Sequence, residues 1–95
     1  MTAVDNFAEF YGHLPVEMER TATILAEYMT GDERTWEQEA EDIDTSVLAA
    51  AIRRDGRIIH PVTLGRDGRV LDGHHRVLVA RDLGIEFIPV RRAEF

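Results

Sequence analysis

The chain has 95 residues, 44% of them hydrophobic and 31% charged, with a net charge of -7 and no cysteine. That size fits one domain with one modest core, and the apolar share excludes wholesale disorder. The sequence has no apolar run near the roughly 20 residues of a membrane span, no signal-like N-terminus and no thiol for disulfides, thiolate metal sites or nucleophilic catalysis, so a cytoplasmic protein is expected.

The charge is unevenly placed. Residues 1–45 hold 12 Asp and Glu against Arg20 and Arg34, a net of -10, while residues 46–95 hold 9 Arg against 6 Asp and Glu, a net of +3. All 11 basic residues are Arg, whose planar fork suits phosphate. The first half repels a nucleic-acid backbone and the second attracts one.

In chain order, Phe7, Phe10, Tyr11, Leu14, Met18, Ala22, Leu25 and Met29 recur at helical steps. Gly12 and Pro15 divide this pattern into a short helix and a longer one, with Pro15 at a first helical position and Gly31 at the stop. The stripe is expected to face the core. A further helix carries Trp36, Ala40 and Ile43, and the acidic run from Asp32 to Asp44 reads as a solvated face. Asp44-Thr45-Ser46 then forms an N-cap cluster. The helix it starts carries Val47, Leu48, Ala51 and Ile52 and stops at Asp55-Gly56.

The second half changes period. Ile58 to Leu64 is a β-branched run broken by Pro61, which predicts a strand with an irregular start. Arg66-Asp67-Gly68-Arg69 is a turn, Val70-Leu71 a second strand, and Asp72-Gly73 leads into a helix from about His74 to Leu83. Val77, Ala80 and Leu83 share one face of that helix, Gly84 ends it, and Phe87 to Val90 is the last strand. The fold class is α/β (α+β). A unit over 46–95 follows an acidic helical extension over 1–45, the two forming one compact domain.

The informative segment is Val70-Leu71-Asp72-Gly73-His74-His75-Arg76-Val77. A strand runs through a glycine straight into a helix whose first N–H groups carry partial positive charge. Gly73 removes the side chain that would keep an anion away. Gly73, His74, His75 and Arg76 together form a phosphate-binding set. Asp72 either caps the helix or acts as a base or metal ligand; with His74 and His75 it is a catalytic candidate. Adjacent helical histidines point about 100° apart, so His74 and His75 are not expected to hold one ion together. A metal set of either with Asp72 and His60 has no distinctive spacing, so no metal is assigned. His13 reads as a surface residue, and Arg91 and Arg92 as solvated strand-end charges.

Six segments carry a likeness: Leu48 to Gly56, Ile59 to Val62, Asp67-Gly68, Asp72 to Arg76, Ala80 to Gly84, and Ile88 to Val90. Over these, roughly half the chain, the sequence resembles the N-terminal domain of the ParB/sulfiredoxin superfamily. The resemblance implies a small mixed sheet with packed helices. It also implies that Gly73 and Arg76 contact nucleotide or nucleic-acid phosphates, and that His60-Pro61 lies near the bound base or sugar. His75 matches the Gly-x-His-Arg form of sulfiredoxins. Candidate cofactors are nucleotides such as CTP or ATP with Mg2+, and a homodimer is among the expected states. Sulfiredoxins carry their catalytic Cys where this chain has His74, so sulfinic-acid reduction is excluded. Partition-type members usually read Gly-Glu-Arg-Arg with a further Arg two residues on. Here His74, His75, Arg76 and Leu78 stand in those places, and the sequence stops after the last strand. A CTP-gated DNA clamp is therefore not expected. Some stand-alone members resemble kinases of free serine that use a carboxylate base, a role open to Asp72 or an N-terminal glutamate; members described as nucleases share the corner.

Three functions follow in order. The first is a phosphate-recognition module binding a nucleotide or nucleic-acid backbone without turnover. The second is an interaction protein, of the kind a phage or mobile element uses, whose acidic helical half docks on a host or partner protein. The third is a phosphoryl-transfer enzyme or metal-dependent nuclease on the same corner.

Overall fold

The computed structural model describes residues 14–31 and 34–93. Phe7, Phe10, Tyr11, Gly12 and His13 lie outside the described residues. Strand β1 (Glu17–Arg20) is followed by helices α1 (Thr21–Glu27), α2 (Trp36–Asp42) and α3 (Ser46–Asp55). Strands β2 (Val62–Leu64) and β3 (Val70–Asp72), helix α4 (His74–Leu83) and strand β4 (Phe87–Arg92) complete the order. The four strands form one sheet in the order β1-β4-β2-β3. β4 runs parallel to β2, while β1 on β4 and β3 on β2 are antiparallel. The sheet is therefore mixed and the fold α+β, as expected. Among the described residues no helix is long and apolar enough to cross a membrane.

The second half follows its sequence pattern closely. Asp67 sits in the β2–β3 turn, where its Oδ1 accepts from the Arg69 N–H at 3.1 Å. Gly65 N–H donates to Arg69 O across the same turn at 2.7 Å. α3 and α4 end at Gly56 and Gly84, both left-handed. Strand β2 is shorter than its β-branched run. Ile58 is buried, but pairing begins only after Pro61, which has no N–H to give a ladder.

α4 is the central element. Val77, Leu78, Val79 and Ala80 are all buried, four consecutive positions rather than the single face Val77, Ala80 and Leu83 suggest. A helix buried over so wide an arc is covered on more than one side; α1, α3 and β2 all contact it. Ile24, Ile52, Val62, Leu64, Ile88 and Val90 complete the core around it. Removing the Leu78 side chain to Ala opens a cavity there and is expected to cost about 2–5 kcal/mol, read as a lower urea midpoint.

The first half departs from its pattern. Glu17–Arg20 is a strand, not the first turn of a helix from Pro15. Met18 and Met29, on the expected core stripe, are exposed at 61% and 58%, while Thr21 and Ile24 take the buried positions. The reason is tertiary: Glu17–Arg20 pairs along Phe87–Val90 and completes the sheet edge, which outweighs helix propensity. Side chains two apart on a strand share a face, so Glu17 and Glu19 both reach Arg92. Arg92 donates to Glu17 Oε2 at 3.1 Å, to Glu19 Oε2 at 2.6 Å and to the Tyr28 hydroxyl at 3.1 Å. Exposed at the end of β4 as expected, it is also a clasp between β4, β1 and the end of α1. Arg92 is held above its ordinary value, chiefly by the Glu17 hydrogen bond. Glu19 is held below its ordinary value, first by the Arg20 N–H and then by Arg92.

A depressed carboxylate stabilises the fold above its ordinary range, about 4.3 for Glu, and that contribution is lost as pH falls through the lower folded-state value. The wild-type melting temperature should accordingly fall more steeply on the acid side than that of Glu19→Gln. Melting curves collected between neutral and acid pH compare the two.

Candidate functional site

The corner expected from sequence is formed by the end of β3, one glycine and the start of α4. Gly73 holds the N-cap position in the left-handed region, φ 94° and ψ 19°. From there the Arg76 side chain folds back, and its Nη1 donates to the Pro61 carbonyl at 2.9 Å. A Cβ at residue 73 would lie 2.5 Å from that Nη1 and 3.2 Å from Val62 Cγ2. Glycine suits this position for its φ, and a Cβ here would make the end of the Arg76 side chain shift. From sequence the missing side chain admits an anion; in the structure the room goes to Arg76, a cation that itself attracts one.

Asp72 does not cap the helix. It is the last residue of β3, paired with Thr63, and Gly73 occupies the cap position instead, with no side-chain hydrogen bond at that end. No acidic residue lies in the first turn of α4, and Gly73 O accepts from Arg76 N–H at 2.9 Å. The structure brings Gly73, Arg76 and Pro61 together, with His60 exposed beside Pro61.

The two histidines behave differently from expectation. Their rings meet edge to face with centroids 4.3 Å apart. The 100° step separates their Cα–Cβ bonds, but at the first turn side-chain rotation brings the rings back together. His74 Nε2 lies 3.8 Å from Glu39 Oε2. Glu39, in α2, is wholly buried, against the expectation that the run from Asp32 to Asp44 is a solvated face. Glu39, His74 and His75 each offer a ligand atom, all within 4.8 Å of one another.

Sequence reading missed Glu39, although its signal was present. Trp36, Glu39, Ala40 and Ile43 stand at i, i+3, i+4 and i+7, the spacing of one helix face. A carboxylate at an apolar position of that stripe reads as a buried charge, which requires a counter-charge or hydrogen bonds. Its position is fixed from the helix start: Thr35 and Gln38 form a reciprocal capping box, and Trp36 Nε1 donates to Tyr28 O at 2.8 Å.

No protein-family model matches the chain, and no curated protein matches it. Among solved structures it is similar to the C2221 form of a Pnob8-like ParB-N domain, with a TM-score of 0.58 at 16% sequence identity. The chain has a ParB-like fold. The match covers 86% of this chain and 30% of that one. It extends the likeness beyond 48–90 into the acidic half, consistent with β1 belonging to the same sheet.

Two glycines test the corner. Gly56 and Gly73 both have positive φ, but a Cβ at Gly56 meets nothing within 4 Å. Gly56→Ala should cost roughly 1–2 kcal/mol for the left-handed backbone alone. Gly73→Ala should cost more, because it also displaces Arg76 from Pro61. Urea unfolding of both variants gives the comparison.

Proposed function

We propose that the chain is a small phosphate-recognition module that binds a nucleotide or a nucleic-acid backbone at the start of α4. The observation that carries this reading is the Arg76 guanidinium, held by Pro61 O at a helix N-terminus with no side-chain cap and no acid in its first turn. A guanidinium has five N–H donors, and Pro61 accepts from one of them. The positive end of the helix dipole adds to the same field.

In this reading Arg76 is the principal phosphate ligand. Gly73 makes the approach possible by seating Arg76, and the first-turn backbone contributes its dipole. The His74 ring is turned to Glu39, so the contribution of His74 to the anion is main-chain. His75, half-buried beside it, belongs to the same cluster, and His60-Pro61 would meet a base or sugar extending from the phosphate. The ParB-like fold supports the same reading.

The test is binding of labelled single-stranded DNA, and protection against thermal unfolding by millimolar ATP or CTP. Binding should weaken as salt rises. Arg76→Ala should reduce it by about tenfold or more, the scale of a charge-assisted hydrogen bond, with an unchanged circular-dichroism spectrum. If neither nucleotide shifts the melting temperature and no DNA binds at low salt, the phosphate reading fails. A partner protein at the acidic half then takes its place.

A further inference from the structure

We infer that Glu39, His74 and His75 form a binding site for one borderline divalent transition ion of the zinc or cobalt type. The inference does not depend on the phosphate reading, because Arg76 takes no part in it.

The argument begins with Glu39. Moving a carboxylate out of water costs several kcal/mol unless a cation meets it. This one is wholly buried and faces the first turn of α4 rather than solvent. The His74 imidazole lies 3.8 Å from it, and a second imidazole stands against the first at 4.3 Å. A single protonated histidine accounts for one imidazole beside Glu39; a metal ion accounts for both. Two imidazoles and a carboxylate are a recurrent donor set for zinc and related ions.

The distances are close to those required. Ligand atoms roughly 2.0–2.1 Å from a tetrahedral zinc ion stand about 3.4 Å apart. The Glu39–His74 separation of 3.8 Å closes to that by a small side-chain turn. The widest separation in the group, within 4.8 Å, closes by a small turn of the half-buried His75 ring. The supporting elements are firm. Glu39 lies in a helix fixed by a capping box and by Trp36, and both histidines begin the most deeply buried helix. Such pre-set ligands lower the cost of ordering on binding. Three protein ligands leave at least one position open for water or another oxygen ligand, and the part-exposed imidazoles leave a route to it from solvent. Nitrogen donors also separate this site from Mg2+ or Ca2+, which take oxygen ligands.

The experiment strips the full chain of metal with a chelator and titrates it with Co2+, following the ligand-field absorption. Zn2+ is then added in competition and its effect on the melting temperature recorded. One equivalent of Co2+ should bind, and Zn2+ should displace it and raise the melting temperature. Mg2+ should do neither. Glu39→Gln and His75→Ala should each weaken Co2+ binding by more than about a hundredfold, beyond the roughly 10–100-fold of a lost outer-shell contact. Arg76→Ala should leave it intact, which separates this site from the phosphate corner. Should Glu39→Gln fail to fold, His75→Ala decides alone. The inference is overturned if Co2+ gives no ligand-field band and Zn2+ leaves melting unchanged, which would make the cluster a Glu39–His74 ion pair only. It is equally overturned if the foldable variants bind Co2+ like wild type, which would place the ion elsewhere on the acidic surface.

Discussion

The hydrogen bond from Arg76 to the Pro61 carbonyl ties the first turn of α4 to the chain just before β2, 15 residues earlier. Between the two ends lie β2, the Asp67-Gly68 turn, β3 and the left-handed Gly73. The closure therefore sets the angle at which α4 leaves the sheet. Because four successive residues of α4 are buried, that angle is tightly constrained: a small rotation would expose part of Val77–Ala80 or drive it into α1 or α3. His74 and His75, in the same first turn, are carried by that packing and not by the Arg76 contact alone.

The division of charge along the chain has a structural use. The first half looks on paper like an acidic surface beside a basic one, but its carboxylates enter the joints between the halves. Glu17 and Glu19 clasp Arg92 across β1 and β4, and Glu39 reaches from α2 to α4. Each of these contacts links residues far apart in sequence. They are exposed at the clasp and buried at Glu39, so their energetics differ. The exposed set is screened by water and salt and adds little. The buried carboxylate is costly to leave without a counter-charge and restricts what can sit beside it.

Legibility from sequence follows from where local and tertiary forces agree. α4, its glycine stop, the β2–β3 turn and the α3 stop were readable because each rests on near neighbours: a φ that suits glycine, an aspartate two residues from its N–H, a run of β-branched residues. The corner residues Gly73, Arg76 and Pro61 were readable as a group through the superfamily resemblance. β1 was not, since nothing in Glu17-Met18-Glu19-Arg20 says that Phe87–Val90 lies alongside. On the helical stripe Met18 and Met29 are exposed and Leu25 only edges the core, while Ile24 is wholly buried. Glu39 is an intermediate case. Its place on the Trp36 stripe was visible, but composition alone assigned it to a solvated acidic run.

The first turn of α4 carries two kinds of donor that do not compete. Arg76 turns back toward β2 and holds Pro61 O, while the histidine rings turn toward α2 and Glu39. Consecutive helical residues diverge by about 100°, so a single turn can face two neighbours. The wide packing of α4 supplies those neighbours on both sides. Gly73 makes the division possible: any side chain there would strike Arg76 and push the guanidinium off its carbonyl. A cation bound at Glu39 would carry positive charge to the same helix end that already bears Arg76 and the helix dipole. The two proposed sites therefore act in one electrostatic direction: filling the first makes an anion at the second more favourable, with no ligand shared between them.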